Sequence, residues 1–440
     1  MEAAVVVGGI FLLTYIMIIW ERVHHTIASM VGAVLMIVYG LRHNILTHEE
    51  IYAFIDLDTI GLLLGMMIIV GVLRDTGIFQ WVAIKVAKIT KGNPWYLMLS
   101  LSLVTAFFSM FFDNVTTIMI IIPVTIFVAS ELGISAMPLI LAEVMFSNIG
   151  GVATLIGDPP NILIASAAGF GFNDFIIVLL PIVLGSLFVS LLAIRFLFRD
   201  WLRSPYVVMH SPRNRLGFHL SDVVLNIDEH HAIKNKWTMF KGLMIFFLTL
   251  YLFFIHEQIG LRPAMVAIIG ATLTLLVNHP DPHVVFEKVE WPTLLFFASL
   301  FILVGVVAKV GLLALLGKAF IDFSQGNQYL SSVVMLWFGA FFSAFVDNIP
   351  FTAAMVPVIE YMGSMGAQVE IVWWGLAIGV GFGGNATLLA SSASIIAVGF
   401  SEKYGEKITF WDWLTYCTPI MLISTATATI LLTIYAYFIL

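Results

Sequence analysis

The sequence predicts an all-α polytopic membrane protein: two inverted repeats of five transmembrane helices plus one re-entrant hairpin each, with discontinuous helices. Three observations predict it. The chain has 440 residues, 60% hydrophobic and only 11% charged, with a mean hydropathy of +1.02. An ordinary soluble domain carries about 25% charged residues, and no soluble core could hide this much apolar surface. Next, the apolar runs are long and lack period-2 alternation. That selects helices over closed barrels, the other fold that satisfies its own backbone in lipid. Finally, the second half replays the first. Asp113-Asn114 sits in a long apolar run with no neighbouring charge, and Asp347-Asn348 repeats the pattern 234 residues on; Pro123 and Pro357 are also 234 apart.

In chain order, spans are expected at about 3–20, 27–41 and 59–74. No Lys or Arg precedes the first run, a poor start for a signal peptide, so it reads as a retained helix. Trp81 to Lys91 is amphipathic, with Lys85, Lys88 and Lys91 on one side, and reads as an interfacial helix. Residues 95–130 are broken at Asp113-Asn114, giving one tilted span or the two short helices of a re-entrant hairpin. Residues 137–168 are interrupted at Asn148-Ile149-Gly150-Gly151 and at Gly157-Asp158-Pro159-Pro160-Asn161, and a span at about 175–198 follows. The hydrophilic stretch 199–241 reads as a linker between a first repeat, 1–198, and a second, 242–440. The second repeat has spans at about 242–256, 263–278 and 292–308, an amphipathic piece near 312–323 and a broken segment over 330–360. An interrupted helix over 371–400, its break at Gly379 to Asn385, and a last span at 413–439 complete it. Cys417, the one cysteine, can form no intramolecular disulfide and reads as a packing residue.

The correspondence extends beyond the Asp-Asn pairs. Thr59, Gly71 and Gly77 match Thr293, Gly305 and Gly311 at an offset of 234. Gly150, Gly151 and Thr154 match Gly383, Gly384 and Thr387 at 233, and Asp174 and Pro181 match Asp412 and Pro419 at 238. Such an internal duplication is typical of secondary transporters. Basic residues set the orientation. With the linker in the cytoplasm and five crossings plus a hairpin per half, Arg42, Arg262, Lys309 and Lys318 fall outside, and the other sixteen of the twenty basic residues fall inside. An odd number of crossings makes the repeats inverted and puts both termini outside. Full spans in place of the hairpins would make them parallel.

A helix broken at mid-depth exposes N–H and C=O groups that protein, water or substrate must satisfy. Half-helix N-termini suit anions or polarised oxygens, and C-termini suit cations. Four breaks are expected to meet at one site: Asp113-Asn114, Asn148 to Asn161, Asp347-Asn348 and Gly379 to Asn385. Thr116, Thr117, Thr154, Thr352 and Thr387 add hydroxyls at that depth. Each feature also has a structural reading. Paired glycines serve close helix packing, membrane Ser and Thr bond back to the backbone, and an Asp at a break caps its half-helix. Intramembrane carboxylates are costly, which favours a transport role for Asp113 and Asp347. Asp158 is read equally as cap or site. Glu143 is read as a proton carrier, a salt-bridge partner or a water-exposed group. The histidines (His24, His25, His230, His231) fall in loops and read as solvated. No phosphate-binding Gly-Lys-Ser/Thr loop is present, which argues against ATP-driven pumping by this chain.

The run Phe112-Asp113-Asn114-Val115-Thr116-Thr117 to Pro123-Val124-Thr125, then Ala142-Glu143-Val144, Ser147-Asn148-Ile149-Gly150-Gly151 and Ala153-Thr154-Leu155-Ile156-Gly157-Asp158-Pro159-Pro160-Asn161, resembles the ion transporter superfamily. The branch is that of the arsenite-permease-like and melanosomal P-protein-like permeases, related to D-type sodium/proton antiporters and to citrate and dicarboxylate transporters. The resemblance covers essentially the whole chain, with looser motifs in the second half. It implies a scaffold domain and a transport domain, hairpin tips at Asp113-Asn114 and Asp347-Asn348, and unwound helix at Asn148 to Asn161 and Gly381 to Thr387. It also implies a homodimer with elevator-type motion. The sodium-coupled dicarboxylate branch carries Ser-Asn-Thr at its tips; here Asp stands in place of that Ser twice. The added acid disfavours a polyanion and favours a cation or proton.

The expectation is therefore a secondary active transporter of the inner cell membrane, not an enzyme, without a cofactor or nucleic-acid partner. It is read as a proton- or sodium-coupled antiporter of a small inorganic ion or oxyacid, with arsenite/antimonite efflux and an anion channel as alternatives. The expected site comprises Asp113, Asn114, Thr116, Thr117, Asn148, Gly150, Gly151, Thr154, Asp158, Asn161, Asp347, Asn348, Thr352, Gly383, Gly384, Asn385 and Thr387. Asp113, Asp347 and Glu143 would couple protons, and Na+ would sit near Asp113, Asn114, Asp347 and Asn348.

Overall fold

The structure, a computed structural model, describes residues 2–20, 22–203 and 233–439. Most of the expected linker, with Arg213, Arg215, His230 and His231, lies outside the described residues. Every regular element among the described residues is helical. The first half runs α1 (Glu2–Trp20), α2 (His25–Arg42), a short α3 (His48–Phe54), α4 (Leu57–Thr76), α5 (Ile78–Ile89), α6 (Pro94–Ser109), α7 (Asn114–Leu132), α8 (Met137–Gly151), α9 (Pro159–Ala168), α10 (Phe172–Leu197) and a stub, α11 (Arg199–Arg203). The second half repeats that order as α12 (Lys236–Ile255), α13 (Pro263–Asn278), α14 (Pro282–Phe286), α15 (Trp291–Lys309), α16 (Leu312–Ser324), α17 (Gln328–Ser343), α18 (Asn348–Ser364), α19 (Glu370–Gly383), α20 (Ser392–Lys403) and α21 (Phe410–Ile439).

Eight of these helices are long and apolar enough to cross a membrane, and five shorter apolar helices accompany them. Four of those five are legs of the broken or interrupted segments: α6, α8, α17 and α19. Large apolar side chains such as Leu12, Phe188, Phe247 and Leu276 stand exposed along the spans, as lipid-facing residues must. The duplication reaches down to the caps. α4 ends at Gly77 with φ 81° and α15 is followed by Gly311 with φ 78°. A left-handed residue there lets α5 and α16 start at once in a new direction. Asn93 and Asn327 then cap α6 and α17, each side-chain oxygen accepting from two backbone N–H groups.

Packing repeats with the halves exchanged. α2 packs on α15 as α13 packs on α4, α7 on α20 as α18 on α9, and α6 on α8 as α17 on α19; α10 meets its own counterpart α21. Ion pairs cross between halves among the described residues: Asp58 with Arg262 at 2.6 Å, Asp75 with Lys288, and Glu50 with Lys309. Asp75 closes α4 where Lys288 precedes α15, and Glu50 precedes α4 where Lys309 ends α15. The equivalent helices α4 and α15 thus run in opposite directions.

The breaks differ from expectation in place. α8 continues through Asn148, Gly150 and Gly151, so the first break covers 152–158; α19 continues through Gly379, Gly381 and Gly383, so the second covers 384–391. Those glycines serve helix approach. A Cβ at Gly150 would lie 2.5 Å from the Ala106 carbonyl oxygen on α6, and one at Gly383 would lie 2.7 Å from that of Ala340 on α17. Overpacking such a site costs about 1–3 kcal/mol. Gly150→Val is expected to lower the thermal melting midpoint in detergent markedly, whereas Gly399→Ala, with no atom within 4 Å of its added Cβ, should leave it unchanged.

Candidate functional site: an acidic cavity where four breaks meet

A cavity of about 600 Å³ lies between the halves, walled by Phe111 to Val115 and Phe345 to Pro350 from the two tips and by Ile156 to Pro159 and Leu389 to Ile396 from the two breaks. Asp113 and Asp347 each sit one residue before a helix and cap it. Asp113 Oδ1 accepts from the Thr116 N–H at 2.8 Å, and Asp347 Oδ1 from the Ile349 N–H at 3.1 Å. The other Asp347 oxygen accepts from the Ser392 hydroxyl at 2.9 Å. Capping and cavity lining thus coexist in the same residues.

Asp158 differs. It stands in extended backbone before α9 and makes no side-chain cap to that helix. It is 2% exposed, and the Asn348 amide of the opposite tip donates to its two oxygens at 3.4 and 3.3 Å. The Asn114 amide of its own half lies against it as well. One carboxylate therefore joins both tips. At the repeat-equivalent position stands Ser391, whose hydroxyl donates to Asn148 Oδ1 at 3.3 Å. Asn148 Nδ2 in turn donates to Asn385 Oδ1 at 2.8 Å, and Asn385 Nδ2 to the Met145 carbonyl at 3.2 Å. This amide chain ties the two discontinuous helices behind the cavity wall.

Several expected site residues make hydrogen bonds within the scaffold. Thr154 donates to the Met110 carbonyl, and its counterpart Thr387 to that of Ala344 at 2.5 Å, so each break is pinned to the turn of its own tip. Asn161 Nδ2 donates to the carbonyls of Gly151, Val152 and Thr154, resealing the first break. The Thr352 hydroxyl bonds back to the Asn348 carbonyl. Thr116, Thr117, Gly150, Gly151 and Gly383 do not line the cavity, and neither does Glu143. What the structure gathers from the expected set is Asp113, Asn114, Asp158, Asp347 and Asn348, with Asn148, Gly384 and Asn385 directly behind.

His24 and His25, expected in solvent, line this cavity instead, with His25 edge-on to Phe296 at 5.0 Å. Glu290, Ser391 and Ser392 were not anticipated. A signal for two of them was present: Glu290 is the repeat counterpart of the helix cap Asp56, and Ser391 that of Asp158. Among the described residues, no Lys or Arg lines the cavity. Nor do three His, Cys, Asp or Glu converge as a metal cluster, so a bound cation would draw on amide, hydroxyl and carbonyl oxygens as well as the acids.

Broken helices meeting at an acidic cavity inside an apolar bundle are the build of a multi-span membrane transporter. A family model described as "Citrate transporter" (CitMHS) matches residues 15–379, and the chain belongs to that family. It is 37% identical over 436 residues to the "46 kDa membrane protein" of Mycobacterium leprae, with 98% of each chain covered. It is 31% identical over 497 residues to the P protein of Sus scrofa, covering 96% of this chain and 58% of that protein. Among solved structures, the YdaH transporter of Alcanivorax borkumensis superposes with a TM-score of 0.58 at 17% identity, over 91% of this chain and 89% of that one, a likeness of fold.

Glu290 stands at the cavity edge, just before α15, and accepts from the Thr293 hydroxyl at 3.1 Å. Burial, with the nearby charge of Asp113, pushes it up to about 7. It gains negative charge as pH rises through that value. The affinity of the cavity for Na+ is expected to strengthen between pH 6 and 8, and Glu290→Gln should flatten that rise in a pH series of Na+ titrations.

Proposed function

We propose that this chain is a secondary active ion transporter, a proton- or sodium-coupled antiporter that works at the cavity between the tips and breaks. The observation that carries the reading is the charge of the cavity: Asp113, Asp158, Asp347 and Glu290 face it, against no Lys or Arg among the described residues. A polyanion would meet repulsion there, while a proton or Na+ would be stabilised. The coupling ion binds at Asp113 and Asp347, with Asp158, Asn114 and Asn348 between them. The small ion or oxyacid exchanged for it meets the breaks, where Ser391 and Ser392 offer hydroxyls. Those hydroxyls also support a second reading, efflux of neutral arsenite or antimonite against protons.

In this reading residues 1–198 and 242–440 are inverted repeats joined by a cytoplasmic linker, 199–241, with both termini outside an inner cell membrane. The opposite run of α4 and α15 supports the inversion. α6–α7 and α17–α18 act as hairpins entering from opposite faces, and the molecule works as an elevator-type homodimer.

Reconstitution in liposomes with an internal pH dye tests the proposal. Sodium-evoked proton flux is the expected result. Arsenite-evoked flux would favour the second reading, and uncoupled current a channel. Asn caps helices about as well as Asp, so Asp113→Asn and Asp347→Asn remove charge while keeping the cap. Both variants should fold with wild-type melting behaviour and lose coupled flux; wild-type flux in both would refute the assignment.

A further inference from the structure

Glu143 is the seventh of the fifteen residues of α8 and is 0% exposed. Its Oε1 accepts from the Thr125 hydroxyl on α7 at 2.5 Å, and its buried Oε2 has no partner. Of the three roles its sequence context allowed, the structure removes two: the group is not exposed to water, and no ion pair engages it among the described residues. A lone carboxylate at such a place costs several kcal/mol, so the acid form is the one this packing accommodates.

The repeat supplies an internal control. The counterparts of Glu143 and Thr125 are Leu376 and Ile359, both 0% exposed. The second half fills the same seam, α18 on α19, with aliphatic side chains. Packing alone therefore does not require an acid there. Polar groups also lead from Glu143 toward the cavity in the first half only. Ser147 is one turn further along α8 and lies 3.1 Å from the Ser109 hydroxyl, which donates to Asn114 Oδ1 at 2.7 Å. Thr117 on α7 adds a buried hydroxyl without a partner. The counterparts of Ser147 and Thr117 are Val380 and Phe351. The helices packed on α8 carry these acidic and basic residues: Glu131 on α7, Asp174 and Arg195 on α10, Glu370 on α19, Glu402 and Lys403 on α20, and Asp412 on α21. All stand in the first or last turns of their helices, and α6 carries none.

We propose that Glu143 is a proton-binding site in its own right, outside the cavity, and that its charge state governs whether α7 stays packed on α8. The proton leaves Oε2 along the Ser147–Ser109 hydroxyls to the cavity, where Asp113 or Asp158 takes it up. The carboxylate left behind keeps the Thr125 hydrogen bond but must admit water, which loosens the first hairpin and not the second. This deepens the proton-coupled reading above and rests on it for its transport arm only.

Infrared difference spectroscopy on the full-length protein in lipid tests the site without any substrate. A protonated-carboxyl C=O band is expected at pH 7 that vanishes in Glu143→Gln. Thr125→Val removes the hydrogen bond to that carbonyl and should move the band to higher frequency. Absence of a Glu143-dependent band, or a band unmoved in Thr125→Val, overturns the site whatever the coupling ion is. In liposomes, Glu143→Gln should lose maximal flux while KM stays at the wild-type value, because the cavity is untouched. Wild-type maximal flux in that variant overturns the gating role even if the band is present. If Glu143→Gln fails to fold, the band shift in Thr125→Val alone decides.

Discussion

The architecture depends on one constraint: a backbone interrupted inside lipid must find partners within the protein. Four interruptions in this chain are drawn together because each satisfies part of another. Thr154 and Thr387 reach from the breaks to the turn carbonyls of the tips. Asn161 reseals three carbonyls of the first break, and the Asn148–Asn385 amides join the two discontinuous helices. These bonds hold the breaks against the tips.

The scaffold is symmetric and the chemistry is not. Caps, glycine turns and helix contacts recur at offsets of 233 or 234, while the acidic groups break the pattern at two places. Asp158 has Ser391 at the equivalent position and Glu143 has Leu376, whereas Glu290 is matched by Asp56, each accepting from the threonine hydroxyl three residues on. A duplicated fold supplies two half-sites cheaply in structural terms. Substituting one member of a pair then places a single negative charge where symmetry would have put two, and like charges at close range disfavour joint ionisation.

Much was legible beforehand, and its legibility has a physical basis. Apolar runs report lipid exposure directly, and the twin Asp-Asn pairs stood out because polar residues are rare at that depth. Break positions were less legible. Asn148, Gly150, Gly379 and Gly381 look like helix breakers, yet α8 and α19 run through them, because neighbouring legs pack against the bare glycine faces and hold the helices intact. His24 and His25 read as solvated, since nothing local reveals that the start of α2 abuts Phe296 and the second tip.

The sequence by itself determined the helical membrane fold, the duplication and the presence of acids at two breaks, because hydropathy, offset and residue type are properties of the chain alone. Only the tertiary structure decided where each acid sits and what it bonds to. Asp113 and Asp347 spend an oxygen each on their own helices, Asp158 is shared between tips, and Glu143 lies sealed away from the cavity. The caps are local, but the sharing of Asp158 joins residues 190 positions apart, and no local pattern encodes it.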